Sequence, residues 1–200
     1  MMRKLFKLFA RIYHHYTRED ANAWKEQLAH CGENSIIQFP AIISVNGGLS
    51  IGDSTTILTN SRIQNFNTNI SLNTPPSIFV GDRCYIGYYF TILNASKVTI
   101  GNDVLIASHV MISSENHGTD PESDTPYMNQ PLITKPVSIG DGCWIGEKVC
   151  ILPGVNIGKK CIIGAGSVVT KSIPDYSIAA GNPARVIKKY SYETHNWEKV

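Results

Sequence analysis

From Val137 to Pro174 the chain keeps one count without a slip: Ile139, Ile145, Ile151, Ile157, Ile163 and Val169 each lie six residues apart. Four of these six anchors are followed by glycine, at Gly140, Gly146, Gly158 and Gly164, and two residues before each anchor sits Val137, Cys143, Val149, Val155, Cys161 or Ser167. A helix cannot use this spacing, because six steps of about 100° turn each anchor by roughly 240° from the last and scatter the apolar set around the axis. A strand can, since six is a multiple of two and positions i and i−2 then share a side. Glycine at i+1 is expected to suit a tight corner that needs unusual backbone angles. The unit is a short strand plus a corner, repeated.

A short self-similar period of this kind is the signature of a parallel β-helix built from hexapeptide repeats. Three units make a triangular coil, and stacked coils pair at about 4.8 Å with the anchors in one internal aliphatic column. The count is less regular upstream. Ile51, Ile57 and Ile63 keep it, and residues 65–76, rich in Asn, Ser, Thr and Pro, interrupt it as a loop. It resumes at Val80, Ile86, Ile92 and Val98, shifts by two, and continues at Ile100, Ile106 and Ile112. From Ile112 to Ile139 is 27 residues, which six does not divide, so a loop leaves the helix there.

Residues 1–30 read differently. Leu5, Phe6, Leu8, Phe9, Ile12, Tyr13 and Tyr16 recur at three and four, with Arg3, Lys4, Lys7 and Arg11 between them, which predicts an amphipathic helix. Charges break every apolar run before a signal-peptide core forms, and no stretch is long enough to span a bilayer. Two roles stay open for this helix: a cap on the open end of the coil stack, or a basic apolar surface against a membrane. The chain thus divides into a helical N-terminal cap over residues 1–40, a β-helix over 41–174 with a loop at 113–136, and a C-terminal cap and tail over 175–200 ending in a short helix.

A net charge of +2 argues against nucleic acid as a partner, which calls for a concentrated basic face. Five cysteines show no CxxC pair, and Cys84, Cys143 and Cys161 fall at the compact i−2 position, as buried thiols of a reducing compartment. The expected location is the cytoplasm, at the inner face of the membrane if the first helix rests there.

The loop at 113–136 is polar, carries Pro121, Pro126, Pro131 and Pro136, and holds one histidine, His117. Taken with the loop, the runs from Val98 to His117 and from Ile139 through GAGSVVTK and AAGNPARVI resemble the hexapeptide-repeat O-acetyltransferases. The likeness is to maltose and galactoside acetyltransferases and to the related enzymes of polysaccharide biosynthesis. The resemblance implies a left-handed β-helix, acetyl-CoA as co-substrate, no metal requirement, and a homotrimer with each site between two subunits. It implies His117 as general base.

That residue type suits the reaction. A sugar hydroxyl is protonated near neutrality, and a base with a pKa near the working pH must take its proton as it attacks a thioester. The oxyanion then needs a fixed donor, for which a backbone N–H near Glu147 is the candidate by family position. Glu115, Asp120, Glu122, Asp124 or a backbone carbonyl can hold the His117 tautomer. The family's CoA contacts map onto Trp144, Glu147, Ala165, Thr170, Lys171, Arg185 and Lys188, the last standing where the family has arginine. Lys171, Arg185 and Lys188 suit phosphate.

For the acceptor, the family's polar sugar-binding positions read Gly87 and Ala95 here, with Tyr88, Tyr89 and Asn94 adjacent; these three and Trp144 are the candidate acceptor contacts. A surface polysaccharide or its precursor is the expected acceptor, ahead of an antibiotic hydroxyl. Two other classes share the fold: zinc carbonic anhydrases, whose three interface histidines would have to include His109 and His117, and non-catalytic trimers.

Overall fold

The computed structural model describes residues 28–46, 48–66 and 75–200. Within them the backbone visits three faces in strict rotation. The first face carries His30–Cys31, Leu49–Ile51, Ser77–Val80, Lys97–Ile100, Val137–Ile139 and Asn156–Ile157. The second carries Ile36–Ile37, Thr56–Ile57, Tyr85–Ile86, Leu105–Ile106, Trp144–Ile145 and Ile162–Ile163. The third carries Ile42–Ser44, Arg62–Asn65, Thr91–Asn94, Met111–Ser113, Cys150–Ile151 and Val168–Val169. Every neighbouring pair among these strands is parallel, and anchor stacks on anchor: Ile37, Ile57, Ile86, Ile106, Ile145 and Ile163 form one column on the second face. The fold is an all-β parallel β-helix, and its inside is the predicted aliphatic column, with Ile57, Ile86, Ile106, Ile145, Ile92 and Ile112 all fully buried.

The compact i−2 positions have a reason beyond volume. On the second face Thr55 Oγ1 donates to Gly81 O at 2.7 Å, Cys84 Sγ to Gly101 O at 3.1 Å, Cys143 Sγ to Gly158 O at 2.9 Å and Cys161 Sγ to Pro174 O at 3.1 Å. A hydroxyl or thiol there satisfies a corner carbonyl of the next coil that the ladder does not reach. The Cys143 thiol is pushed well above its ordinary pKa by its hydrogen bond with Cys161 and by burial, and stays neutral.

The corners correct the expectation about glycine. The residue in the left-handed region is three after the anchor, as at Ser54 (φ 55°), Arg83 (φ 54°), Asp103 (φ 56°), Lys148 (φ 58°) and Lys160 (φ 54°). What the glycine at i+1 supplies is space. A Cβ on Gly81 would lie 2.6 Å from Gly101 O, and one on Gly146 2.7 Å from Ala165 N. The residue after that glycine explains the recurrent Gly-Asp and Gly-Asn pairs. Asp53 accepts from Glu33 N at 2.7 Å, Asp82 from Asp53 N at 2.9 Å, Asn102 from Asp82 N at 2.8 Å and Asp141 from Asn102 N at 2.7 Å. One side chain per coil thus closes the corner below it.

Both ends depart from the expected division. The predicted N-terminal helix lies mostly outside the described residues, but the coil stack already includes His30–Cys31 and Ile36–Ile37, so the repeat begins before residue 41. The tail is not a helix. Ser177–Gly181 continues the second face in parallel; Ala184–Ser191 then folds back antiparallel and Asn196–Lys199 pairs with it. Alternation favours strand: Val186, Lys188 and Tyr190 are half-buried while Arg185, Ile187 and Lys189 are exposed. Among the described residues no helix is long and apolar enough to cross a membrane.

Candidate active site

The loop after Ile112 begins with a clasp. Glu115–Asn116 pairs antiparallel with Ile133–Thr134, bringing the two ends of the excursion together at the corner between the third and first faces. Ser113 Oγ braces the turn by donating to Glu115 O at 2.7 Å. His117 stands immediately beyond the clasp and is exposed. Among the described residues no hydrogen-bond partner for its ring lies within the same chain. Of the carboxylates considered for that role, Asp120 is engaged elsewhere: its Oδ1 accepts from Glu122 N at 2.9 Å.

The loop's shape beyond His117 rests on a residue that the sequence reading missed. Gln130 is buried, at 7% exposure, and makes three hydrogen bonds. Its Oε1 accepts from Asp120 N at 3.0 Å, while Nε2 donates to Asp120 O at 2.9 Å and Thr125 O at 3.0 Å. The same side chain packs on Gly118, where a Cβ would meet Gln130 Cβ at 2.7 Å. Nothing in a polar, non-periodic loop distinguishes Gln130 from its neighbours, so no sequence signal marks it.

Five of the seven expected cofactor residues gather on a different edge. Trp144 projects from the second face, 51% exposed, between Leu105 below and Ile162 above. The line continues through Ile178 to Lys188, about 14 Å from Trp144 at about 4.8 Å per step. Glu147 and Ala165 lie on the corner between the second and third faces, with Gly166 N donating to Glu147 O at 2.7 Å. Arg185 pairs with Ala180, whose methyl group abuts Gly164 on that corner. Trp144, Glu147, Ala165, Arg185 and Lys188 therefore share one continuous surface. Thr170 and Lys171 are exposed but follow Val169 on the other corner, the one from which the His117 loop departs two coils below. A single chain does not bring His117 to Trp144.

Below Glu147 the same corner carries two further expected residues. The Glu147 carboxylate accepts from Ser108 N at 3.1 Å, and Ser108 Oγ accepts from Tyr88 N at 3.1 Å. Tyr89 and His109, each in the left-handed corner position, stack with ring centroids 4.8 Å apart and planes within 7°. His109 follows Ile106 by the same three residues that separate Tyr89 from Ile86, a signal that aligning the repeats would have exposed.

Asn94 is a correction. It is not a surface group but is fully buried at the interior of the corner from which the loops leave. Its Nδ2 donates to Asn65 Oδ1 at 2.8 Å, and its Oδ1 accepts from Ser114 Oγ at 2.6 Å and Ser96 N at 3.1 Å. Every polar atom is committed to holding successive coils together, and none is left for an acceptor.

Residues 136–171 match the family model described as a hexapeptide repeat of succinyl-transferase. A protein of Escherichia coli (strain K12) that carries the name lipopolysaccharide biosynthesis O-acetyl transferase WbbJ is 39% identical over 171 residues, covering 82% of this chain and 84% of that one. The galactoside O-acetyltransferase of the same strain is 42% identical over 113 residues, covering 56% of this chain and 54% of its own length. A solved galactoside acetyltransferase in complex with coenzyme A superposes with a TM-score of 0.60 at 32% identity, over 88% of this chain and 72% of that one. The Bacillus cereus N-acyltransferase AntD shares the fold, with a TM-score of 0.71 at 21% identity over 86% and 89% of the two chains. The extent of the WbbJ match places this chain among the hexapeptide-repeat acetyltransferases, and it is an acyltransferase. The family's co-substrate is acetyl-CoA. The exposed line from Trp144 to Lys188 and Arg185 carries an aromatic side chain at one end and cations at the other.

Proposed function

We propose that the protein transfers an acetyl group from acetyl-CoA to a hydroxyl of a sugar, on a surface polysaccharide or its precursor, with His117 as general base. The observation that carries the reading is the placement of His117: exposed, held just past a two-stranded clasp, and without a ring partner among the described residues. His117 takes the acceptor proton as the hydroxyl oxygen attacks the thioester carbonyl, and the imidazolium then protonates the departing CoA thiolate. No acyl-enzyme forms. A backbone N–H near Glu147 receives the oxyanion.

Because His117 and the Trp144 surface stand on different edges of the prism, the site is completed by a second subunit in a homotrimer. The corner bearing His117, Thr170 and Lys171 meets a neighbour's second face, and the group that orients His117 comes from that neighbour or from the loop's own carboxylates. Acetyl-CoA lies along Trp144, Glu147, Ala165, Thr170, Lys171, Arg185 and Lys188, with Tyr88 and Tyr89 toward the acceptor. In this reading the coil winds left-handed and the enzyme works in the cytoplasm, at the inner face of the membrane if it meets one. The saccharide assignment takes support from the similarity to WbbJ across most of both chains.

The test is release of free CoA thiol from acetyl-CoA with a panel of sugars, nucleotide sugars, oligosaccharides and antibiotics, alongside mass measurement by light scattering. Turnover on a saccharide by a trimer supports the reading. Turnover only on an antibiotic, or no CoA binding, overturns it.

A further inference from the structure

The corner that carries Glu147, Ser108 and Tyr88 does not stop at the aromatic pair. One coil below Tyr89 lie Asn60 and Ser61, and a coil below them Pro40, Ala41 and Ile42, and these six residues enclose a groove of about 290 Å³. Its floor is apolar, its upper wall is the Tyr89 ring, and Ile42 is 58% exposed within it. His109 stacks on one side of that ring with centroids 4.8 Å apart, and Tyr89 is 51% exposed. Asn60, held in the left-handed region at φ 62°, brings a carboxamide whose Nδ2 donates to the neighbouring Thr59 hydroxyl at 3.2 Å on the surface. Among the described residues that line the groove none is charged, and Arg62, which pairs with Ile42 one coil above, turns its Nε to Gln64 Oε1 at 2.6 Å.

From this we infer that the groove is a second acceptor subsite, which binds a neutral sugar unit of a saccharide chain whose reacting unit sits higher on the same corner. The inference rests on the proposed saccharide acceptor and narrows it to a polymer or oligomer. Three observations favour a neutral sugar as occupant. A stacked, exposed aromatic ring suits the C–H face of a pyranose, and the adjacent carboxamide suits its hydroxyl edge. The lack of charge disfavours a nucleotide or phosphate, which require cations. Continuity through Tyr89 aligns the groove with the acceptor corner, since Glu147 lies two coils above Tyr89 and Asn60 one below, a run of about 14 Å. That length exceeds a single sugar and suits a short chain.

The test compares acceptors of different length. Wild type, Asn60→Gly and Ile42→Glu are assayed with maltose, maltotriose, maltopentaose, cellotriose, chitotriose and a de-O-acetylated bacterial polysaccharide. Glycine keeps the left-handed backbone at position 60 and removes only the carboxamide, while Ile42 is exposed, so both variants keep the fold. The expected result is at least a tenfold fall in kcat/KM on the longer acceptors, with the disaccharide rate and the KM for acetyl-CoA unchanged. Equal loss on short and long acceptors, or no loss on either, overturns the subsite. If no saccharide is acetylated by wild type, the proposed function fails on its own account. The subsite is then read by NMR titration of the same neutral oligosaccharides, where shifts at Tyr89 and Asn60 sustain it and their absence removes it. Displacement by decyl maltoside micelles but not by maltose would assign the groove to a lipid chain instead and overturn the sugar reading.

Discussion

The side-chain amide of Asn94 donates to the carboxamide oxygen of Asn65 one coil below it at 2.8 Å, with both residues shut away from solvent. With the Ser114 hydroxyl above, the two form a polar seam inside an otherwise aliphatic prism, at the corner where loops depart. Asn94→Ala leaves the Ser114 O–H, the Ser96 N–H and the Asn65 carboxamide oxygen without their partner, which costs about 2–3 kcal/mol. The melting temperature should fall by roughly 5–10 °C, with the acceptor KM unchanged at permissive temperature. A raised KM with an unchanged melt would restore Asn94 to the acceptor site.

His117→Ala should reduce kcat/KM by about 10²–10⁴-fold. Its melting curve and its thermal stabilisation by CoA should match wild type, because the ring is exposed and makes no hydrogen bond among the described residues. An active His117→Ala protein would end the general-base assignment.

Gln130→Leu keeps most of the side-chain volume and removes three hydrogen bonds that close residues 120–130 beneath His117. The loop opens locally while the coils, which do not depend on it, remain paired. Activity should drop by about tenfold or more through misplacement of the base, with a melting shift of no more than about 2 °C. Protease cutting confined to the loop would report the opening directly.

Two glycines separate the need for space from the need for an unusual angle. A Cβ at Gly81 would come within 2.7 Å of Gly101 C and 2.6 Å of Gly101 O, on a backbone that cannot yield without breaking a rung. Gly81→Ala should cost about 2–3 kcal/mol or more. Gly166 has φ +70° and nothing within 4 Å of a Cβ. Gly166→Asn, a residue that tolerates that region, should change stability by less than about 0.5 kcal/mol. Chemical denaturation of the two variants measures the contrast.

On the outer edge between the first and second faces, Arg83 holds Asp103 through two hydrogen bonds, at 2.7 and 2.8 Å. The Arg83 hydrogen bond draws the Asp103 carboxyl below its ordinary pKa. A lowered folded-state pKa means that the contribution is present above the ordinary carboxylate value of about 3.9 and disappears as pH falls through the folded value. Both groups are fully exposed, so the effect is small. Asp103→Asn should melt slightly below wild type at pH 7, and the gap should close below about pH 3 and in ~1 M salt.

The rotation of strands was legible because anchors and i−2 positions have only one buried side to share, and Ile139, Ile145 and Ile151 announce it without ambiguity. The same parity, followed further, would have placed Asn65, Asn94 and Ser114 inside, each two residues after Ile63, Ile92 and Ile112. Their polarity suggested a site because a buried polar seam is visible only once its partners are adjacent. The glycine corners were misjudged for a related reason: crowding from the coil above involves residues about twenty positions away, such as Gly101 over Gly81. His117 was singled out by its loop and its resemblance. Gln130 was not, since its value lies in Asp120 and Thr125 folding back toward it. The antiparallel return after Gly181 was hidden by the strength of the repeat before it.

That return bears on how the molecule stays finite. A stack of parallel coils has no internal rule for where to stop, and its last rung offers the same template to a neighbour's first rung as to its own chain. By turning back at Gly181 and laying Ala184–Ser191 antiparallel along the second face, the chain replaces that template with one of opposite polarity. Asn196–Lys199 then covers it again, with Lys188 and Lys199 paired across the rim. A coil from another molecule that approaches this end meets mismatched hydrogen-bond direction and two like charges. On the second face the hairpin thus takes the place of the parallel rung that a further coil would need.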